Sequence, residues 1–158
     1  MNIGLIVYSE TGNTLSVAER MKETLAAAGH TTEIRQITVQ PRGKADSLVV
    51  LKDIPSVEGF DAVIFGAPVQ AFSLCRPMTL YLKQLPDIRG LPVAAFIIQG
   101  LPRKWMGGNR AFNTLSKLCG AKGAIPVRIG HVHWRTATRD AQIADAVSGA
   151  AKFAATAK

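Results

Sequence analysis

Residues 8–14, Tyr-Ser-Glu-Thr-Gly-Asn-Thr, join an apolar stretch that ends at Val7 to an amphipathic stretch that begins at Leu15. The pattern predicts a buried strand, a short loop and a helix in direct succession. Such a loop can hold a phosphate, because its N–H groups and hydroxyls donate hydrogen bonds and the helix dipole favours an anion. Gly12 lets the backbone approach an anion with no Cβ in the way.

The loop differs from two common nucleotide-binding loops. It lacks the lysine of the nucleoside-triphosphate loop, and Gly12 alone cannot supply the three glycines of the dinucleotide fingerprint. A loop rich in hydroxyls suits a single phosphate held by hydrogen bonds. The alternative is an ordinary strand-to-helix turn in which Thr11 or Asn13 caps the helix.

Length and charge narrow the class of protein. A chain of 158 residues predicts one domain, 1–158, with a sizeable core. Its longest apolar run, 93–98, is far shorter than the ~20 residues that span a membrane. The N-terminus lacks the features of a signal peptide, so we expect a cytoplasmic protein. The net charge is +8, but aromatic residues make up only 6%, which argues against nucleic-acid binding.

Apolar runs and helical patterns alternate along the chain. Predicted strands cover 2–8, 31–37, 61–66, 92–99 and 124–132, and predicted helices cover 13–28, 75–85, 108–119 and 140–157. Residues 45–52 are a further, short candidate helix, and Thr138 is the expected cap of the last helix. This alternation predicts an α/β fold with a doubly wound, five-stranded parallel sheet in the order 2-1-3-4-5 and helices on both faces. Its ligand should bind where the loops after strands 1, 3 and 4 meet.

The first loop resembles the FMN-phosphate loop of flavodoxins, which reads Ser/Thr-x-Thr-Gly-Asn-Thr after the first strand. Residues 9–14 match that pattern at every specified position. The resemblance implies a flavodoxin-like fold and an FMN cofactor. The cofactor-binding residues that it implies in this loop are Ser9, Glu10, Thr11, Gly12, Asn13 and Thr14.

The loop after the third strand, 66–73, is similar to the second flavin loop of the wider flavodoxin-like family. It contains Gly-x-Pro-Val followed by an aromatic residue. The resemblance implies that Phe72 stacks on the isoalloxazine ring, whereas the alternative is a plain turn with Phe72 in the core. Flavodoxins proper often place Trp or Tyr in such loops. The cofactor-binding residues implied here are Ala67, Pro68, Val69, Gln70, Ala71 and Phe72.

The loop after the fourth strand, 99–110, departs furthest from flavodoxins proper, which carry acidic residues there. Trp105 is a second candidate for stacking, or else covers the pocket or contacts a partner. Gly107 and Gly108 would allow close approach to a flat ring, as in the related quinone reductases. The cofactor-binding residues implied here are Gln99, Gly100, Leu101, Trp105, Gly107 and Gly108.

Three basic residues stand in that loop, namely Arg103, Lys104 and Arg110. Residues 76–158 carry 13 basic and 3 acidic side chains, against 6 and 8 in residues 1–75. The resemblance to flavodoxins, taken together with this excess of basic side chains, implies an electron carrier whose redox partner protein is acidic at its docking face. We expect Arg103 and Lys104 to make the flavin easier to reduce than in acidic flavodoxins. One alternative is an FMN-dependent NAD(P)H:quinone-type oxidoreductase. Another is a binding domain of this fold without flavin.

The cysteines and histidines suggest no further chemistry. Cys75 and Cys119 are far apart in the sequence, so buried free thiols are expected, with a reactive or disulfide role as the alternative. His131 and His133 would lie on one face of a strand, but the sequence offers no supporting metal ligands. No catalytic residue and no metal site are therefore predicted.

Overall fold

The computed structural model describes residues 1–41 and 48–157. Its strands are β1 (Asn2–Val7), β2 (Thr31–Gln36), β3 (Ala62–Gln70), β4 (Ser73–Leu74), β5 (Val93–Gln99) and β6 (Val127–His133). Its helices are α1 (Asn13–Ala27), α2 (Arg76–Lys83), α3 (Gly108–Gly120) and α4 (Arg139–Thr156). None of these helices is long and apolar enough to cross a membrane.

Five of the strands are parallel and lie in the order β2-β1-β3-β5-β6. This confirms the predicted doubly wound order. The two-residue strand β4 is an addition, and it pairs antiparallel with the end of β3. Leu5 in β1 pairs with Ile34 of β2 on one side and with Ile64 of β3 on the other. The chain therefore adds β2 on one side of β1 and all later parallel strands on the other, so the winding changes direction between β1 and β3. A doubly wound sheet opens a crevice at the carboxyl ends of such strands.

The sheet is covered on both faces, as the continuous apolar runs of its central strands require. Helices α2 and α3 cover one face, where Tyr81 and Leu115 belong to the core. Helices α1 and α4 cover the other, where Met21 and Phe153 do so. Close packing leaves no room for a side chain at Gly66, because a Cβ there would overlap the buried ring of Phe96.

The candidate helix at 45–52 is the main difference from the predicted fold. Residues 45–47 lie outside the described residues, and residues 48–52 are not helical. Leu51 forms an isolated antiparallel bridge with Val39, and the N–H of Gln40 donates to the carbonyl of Val50 at 2.8 Å. Two adjacent valines in this segment favour an extended backbone over a helix, which accounts for the wrong prediction.

The predicted bounds of the last strand were wrong, and the predicted cap of the last helix was right in position but not in its hydrogen bond. The last strand starts at Val127 rather than at residue 124 and continues to His133, which brings the residues after it to the sheet edge. Thr138 occupies the predicted cap position of α4, but its side chain makes no capping hydrogen bond. Its hydroxyl is instead 3.0 Å from that of Thr136.

Candidate functional site

A cleft lies at the carboxyl edge of the sheet and consists of two adjoining compartments of about 230 Å³ each. Their combined size suits a small-molecule site, for which roughly 300–1,000 Å³ is usual. The first compartment is lined by Glu10, Thr11, Asn13, Thr14, Pro68, Val69, Gln70, Ile98, Gly100, Trp134 and Arg135. The second is lined by Val69, Ala71, Phe72, Gln99, Gly100, Leu101, Met106 and Arg135.

The loop after β1 forms one end of the first compartment. Gly12 is the N-cap of α1 and has a φ of 91°, a left-handed conformation that favours glycine. Neither Thr11 nor Asn13 caps the helix with its side chain. The hydroxyl of Ser9 accepts a hydrogen bond from the N–H of Leu15 at 3.1 Å, which holds the loop against the helix.

The N–H groups of residues 11–14 donate no hydrogen bond to any residue that the structure describes. They stand at the positive end of the α1 dipole, and the first turn of that helix contains no acidic side chain. Thr14, only 2% exposed, adds a hydroxyl to the cleft lining. This end of the cleft therefore offers several hydrogen-bond donors to an anion, and it fits one phosphate group.

The segment after β3 is a hairpin rather than the predicted plain loop. Strand β3 continues through Gln70, and a two-residue turn of Ala71 and Phe72 leads into β4. Both turn residues have positive φ, 48° and 60°, as the mirror-image turns of tight hairpins require. Phe72 is 60% exposed at the hairpin tip, so the alternative of a core position is wrong.

Most residues of this second segment line the cleft as predicted, from Pro68 to Phe72. Ala67 does not, because this residue of β3 is fully buried in the core between the sheet and helices α2 and α3. The amide of Gln70 donates to the carboxylate of Glu10 at 2.7 Å and so ties the hairpin to the first loop. The structure thus brings the first two predicted loops together.

In the loop after β5, Gln99, Gly100 and Leu101 line the cleft as predicted, and Met106 does so too. The predicted residues Trp105, Gly107 and Gly108 do not. Trp105 is 75% exposed and lies outside both compartments. Gly107, with a φ of 116°, packs against the hairpin: a Cβ there would lie 2.8 Å from the backbone of Phe72. Packing against the hairpin and a positive φ therefore account for the glycine at position 107.

Gly108 also packs against protein. A Cβ on Gly108 would overlap the imidazole of His131 and the side-chain oxygen of Gln99. The rings of His131 and His133 are stacked, with centroids 4.5 Å apart. Gln99 accepts from Nε2 of His131 at 2.8 Å and donates to the carbonyl of Arg103, while Nδ1 of His133 donates to the carbonyl of Leu101 at 2.8 Å. These buried groups fix the start of the loop.

This arrangement keeps His131 neutral near pH 7. Burial, the neighbouring His133 and the charges of Arg128 and Lys104 lower its pKa to about 4. Its Nδ1 is buried and has no hydrogen-bond partner among the described residues. Those residues also contain no group of three or more potential metal ligands.

A fourth loop, which the sequence analysis missed, completes the cleft. Trp134 lines the first compartment and Arg135 lines both, directly after β6. The N–H of Trp134 donates to the carbonyl of Gln99 at 2.7 Å, which docks this loop beside the third one. An aromatic residue and an arginine at the carboxyl end of a predicted strand were the signal that could have found them.

The charges at the cleft differ from those expected. Arg103 and Lys104 are exposed and line neither compartment. Among the described residues, the cation in the lining is Arg135, and the first compartment also contains the carboxylate of Glu10. The cysteines play no part, since Cys75 and Cys119 are free and buried, and burial raises the pKa of each thiol to about 12.

The same overall structure occurs among solved proteins. Flavodoxin 1 from Bacillus cereus superposes with a TM-score of 0.69 and 16% identity, covering 99% of both chains. A flavodoxin from Fusobacterium nucleatum bound to flavin mononucleotide gives 0.67 and 11%, covering 98% of this chain and 97% of that one. The chain has a flavodoxin-like fold. A flavodoxin-like WrbA-type protein from Agrobacterium tumefaciens gives 0.66 and 15%, covering 99% and 96%.

At these identities the likeness extends to the fold and not to the activity. The sequence itself matches no protein-family model and none of the curated proteins with which it was compared. The functional argument for this flavodoxin-like chain therefore rests on its own cleft.

Proposed function

We propose that this chain binds FMN in the cleft and carries electrons between protein partners. The observation that carries the proposal is the first loop, at one end of the cleft, where the N–H groups of residues 11–14 have no acceptor among the described residues. A phosphate ester is the part of FMN that such donors would hold. The hydroxyls of Thr11 and Thr14 would add to them.

The second compartment suits a flat apolar ring. Val69, Leu101 and Met106 supply an apolar lining, and Phe72 stands at its mouth. Bound FMN would supply the one- and two-electron chemistry. The protein would orient the ring, exclude water from part of it and set the charge around it. The ionisable side chains that line the cleft are Glu10 and Arg135. A carrier needs no further acid or base.

The surface beside the cleft is basic, which supports an acidic docking face on the partner. Arg103, Lys104 and Arg135 are exposed, and none forms an ion pair with a described residue. Opposite charges would steer an acidic partner toward the cleft, and salt would weaken this attraction. A cytoplasmic location stays a prediction from the sequence.

Two inorganic oxidants of opposite charge test directly whether the surface beside the cleft is positively charged. Chemically reduced, FMN-loaded protein is mixed with ferricyanide or with hexaammineruthenium(III), each of which accepts one electron. We expect added salt to slow the reaction with the anion and to accelerate that with the cation. The double variant Arg103→Gln with Lys104→Gln should reduce the salt dependence of both reaction rates, whereas Arg20→Gln on α1 should not. The opposite signs of salt dependence would overturn the docking proposal.

A second candidate is an FMN-dependent oxidoreductase that takes hydride from NAD(P)H. It is favoured by a groove beside the hairpin that is lined by Arg76 and Arg110, since guanidinium groups bind phosphates well. Steady oxidation of NADPH with a quinone by the FMN-loaded protein would support the enzyme. Its absence, together with rapid electron exchange with one-electron oxidants, would support the carrier. If the chain binds no flavin at all, both proposals fail and a binding domain remains.

A further inference from the structure

A second concave site of about 460 Å³ lies on the outer side of the β3–β4 hairpin, between the first turns of α2 and α3. Arg76, the first residue of α2, and Arg110, the third residue of α3, both line it. Helices from separate parts of the chain thus place two guanidinium groups on one groove. The volume is within the range typical of nucleotide-sized ligands.

Both arginines are unpaired. They are exposed and form no ion pair, hydrogen bond or ring stack with any residue in the described ranges. Each stands in the first turn of its helix, where the dipole is already positive and a cation is unfavourable. Neither first turn contains an acidic residue that would offset this cost. A bound anion would offset it.

Apart from Gln70, whose amide already donates to Glu10, the remaining polar side chains in the lining are hydroxyls. The hydroxyls of Ser73 and Thr114 make no hydrogen bond to a described residue, so both are available to a ligand. The hydroxyl of Thr79 already donates to the carbonyl of Cys75 at 3.0 Å and offers no further proton. No carboxylate of a described residue lines the groove. Two guanidinium groups and two free hydroxyls match the acceptor oxygens of a phosphate group.

We propose that this groove binds the phosphomonoester of a nucleotide-sized ligand. The hairpin alone separates the groove from the cleft, because Gln70 and Ala71 line both. A ligand anchored by its phosphate at Arg76 and Arg110 could therefore extend over the hairpin toward the cleft. The groove is built from its own residues and does not depend on FMN.

Isothermal titration of the protein, both FMN-free and FMN-loaded, tests the proposal with 2′,5′-ADP as the probe. We expect binding in both forms and a loss of about tenfold or more in affinity in each of Arg76→Gln and Arg110→Gln. Arg20→Gln, an exposed helical arginine remote from the groove, should bind as the wild type does. Because each substitution removes a cation from a helix N-terminus, the two variants should melt about 1–3 °C higher than the wild type.

Parallel titrations identify the source of the phosphate. NADPH should bind with an affinity similar to that of 2′,5′-ADP, and NADH and inorganic phosphate should bind much more weakly. No binding of 2′,5′-ADP, or equal binding by the wild type and both groove variants, would overturn the proposal. Equal affinities for NADH and NADPH, or for inorganic phosphate and 2′,5′-ADP, would also overturn it. Failure to bind FMN would refute the proposed function and leave these results standing.

Discussion

The substitution Gly107→Ala tests how tightly the loop before α3 packs on the cleft. A φ of 116° strains any residue with a Cβ, at a cost of about 1–2 kcal/mol. The new Cβ would also lie 2.7 Å from Cγ1 of Val69 and 2.8 Å from Cα and C of Phe72. Because two of these atoms are backbone, the hairpin has to shift, which adds roughly 1–3 kcal/mol. We expect a total loss of about 2–5 kcal/mol in the free energy of unfolding.

Urea unfolding followed by circular dichroism measures this loss, with Gly90→Ala as the matched control. Gly90 has a similarly unfavourable φ of 83°, but a Cβ there meets nothing within 4 Å. The control should therefore lose only the conformational part, about 1–2 kcal/mol. Gly107→Ala should also weaken FMN binding, because Val69 and Phe72 line the cleft, and the control should not. Equal losses of stability in the two variants would refute the packing argument.

Three further predictions concern the cleft and the residues behind it. Phe72→Gly should stabilise the protein by about 0.5–1 kcal/mol in urea unfolding, because Phe72 has a φ of 60° and its side chain is 60% exposed. A loss of stability in this variant would show that the ring packs against the protein in solution. Arg135→Gln should lower the potential of the second one-electron reduction of bound FMN by the equivalent of about 1 kcal/mol, or roughly 40 mV, in a spectroelectrochemical titration. An unchanged potential in that variant, or an equal change in Arg20→Gln, would exclude Arg135 as the cation that sets it. Folding lowers the pKa of His131 from its usual 6.5 to about 4, so between these pH values the unfolded state binds one more proton than the folded state. The free energy of unfolding should therefore fall as the pH drops from about 6.5 toward 4. His131→Asn should reduce that slope in urea unfolding at several pH values, and an unchanged slope would contradict the role of His131.

The sequence was sufficient to predict the order of the sheet and the position of the first loop between β1 and α1 at the cleft. Central strands such as 93–99 are apolar on both faces, and their alternation with helices leaves few topologies. The Ser9–Thr14 loop was identifiable because its chemistry lies within six consecutive residues that join a strand to a helix. Local patterns of this kind need no knowledge of distant contacts.

The remaining site depends on contacts that sequence patterns do not encode. The hairpin turn of Ala71 and Phe72 lacks the Gly or Asn that usually marks such turns, so the sequence pattern predicted a loop there and not a hairpin. Arg103 lies in a loop of the predicted site, but Gln99, held by His131, fixes the loop course that leaves Arg103 outside the cleft. Arg135 enters because β6 continues beyond its predicted end.

The most direct test of the central claim compares FMN with riboflavin, which lacks only the phosphate. Quenching of flavin fluorescence on titration with flavin-free protein gives both dissociation constants. If the N–H groups of residues 11–14 hold the phosphate, FMN should bind at least about a hundredfold more tightly, since each charge-assisted hydrogen bond contributes roughly 1.5–3 kcal/mol. Similar affinities for the two flavins, or binding of neither, would contradict the account.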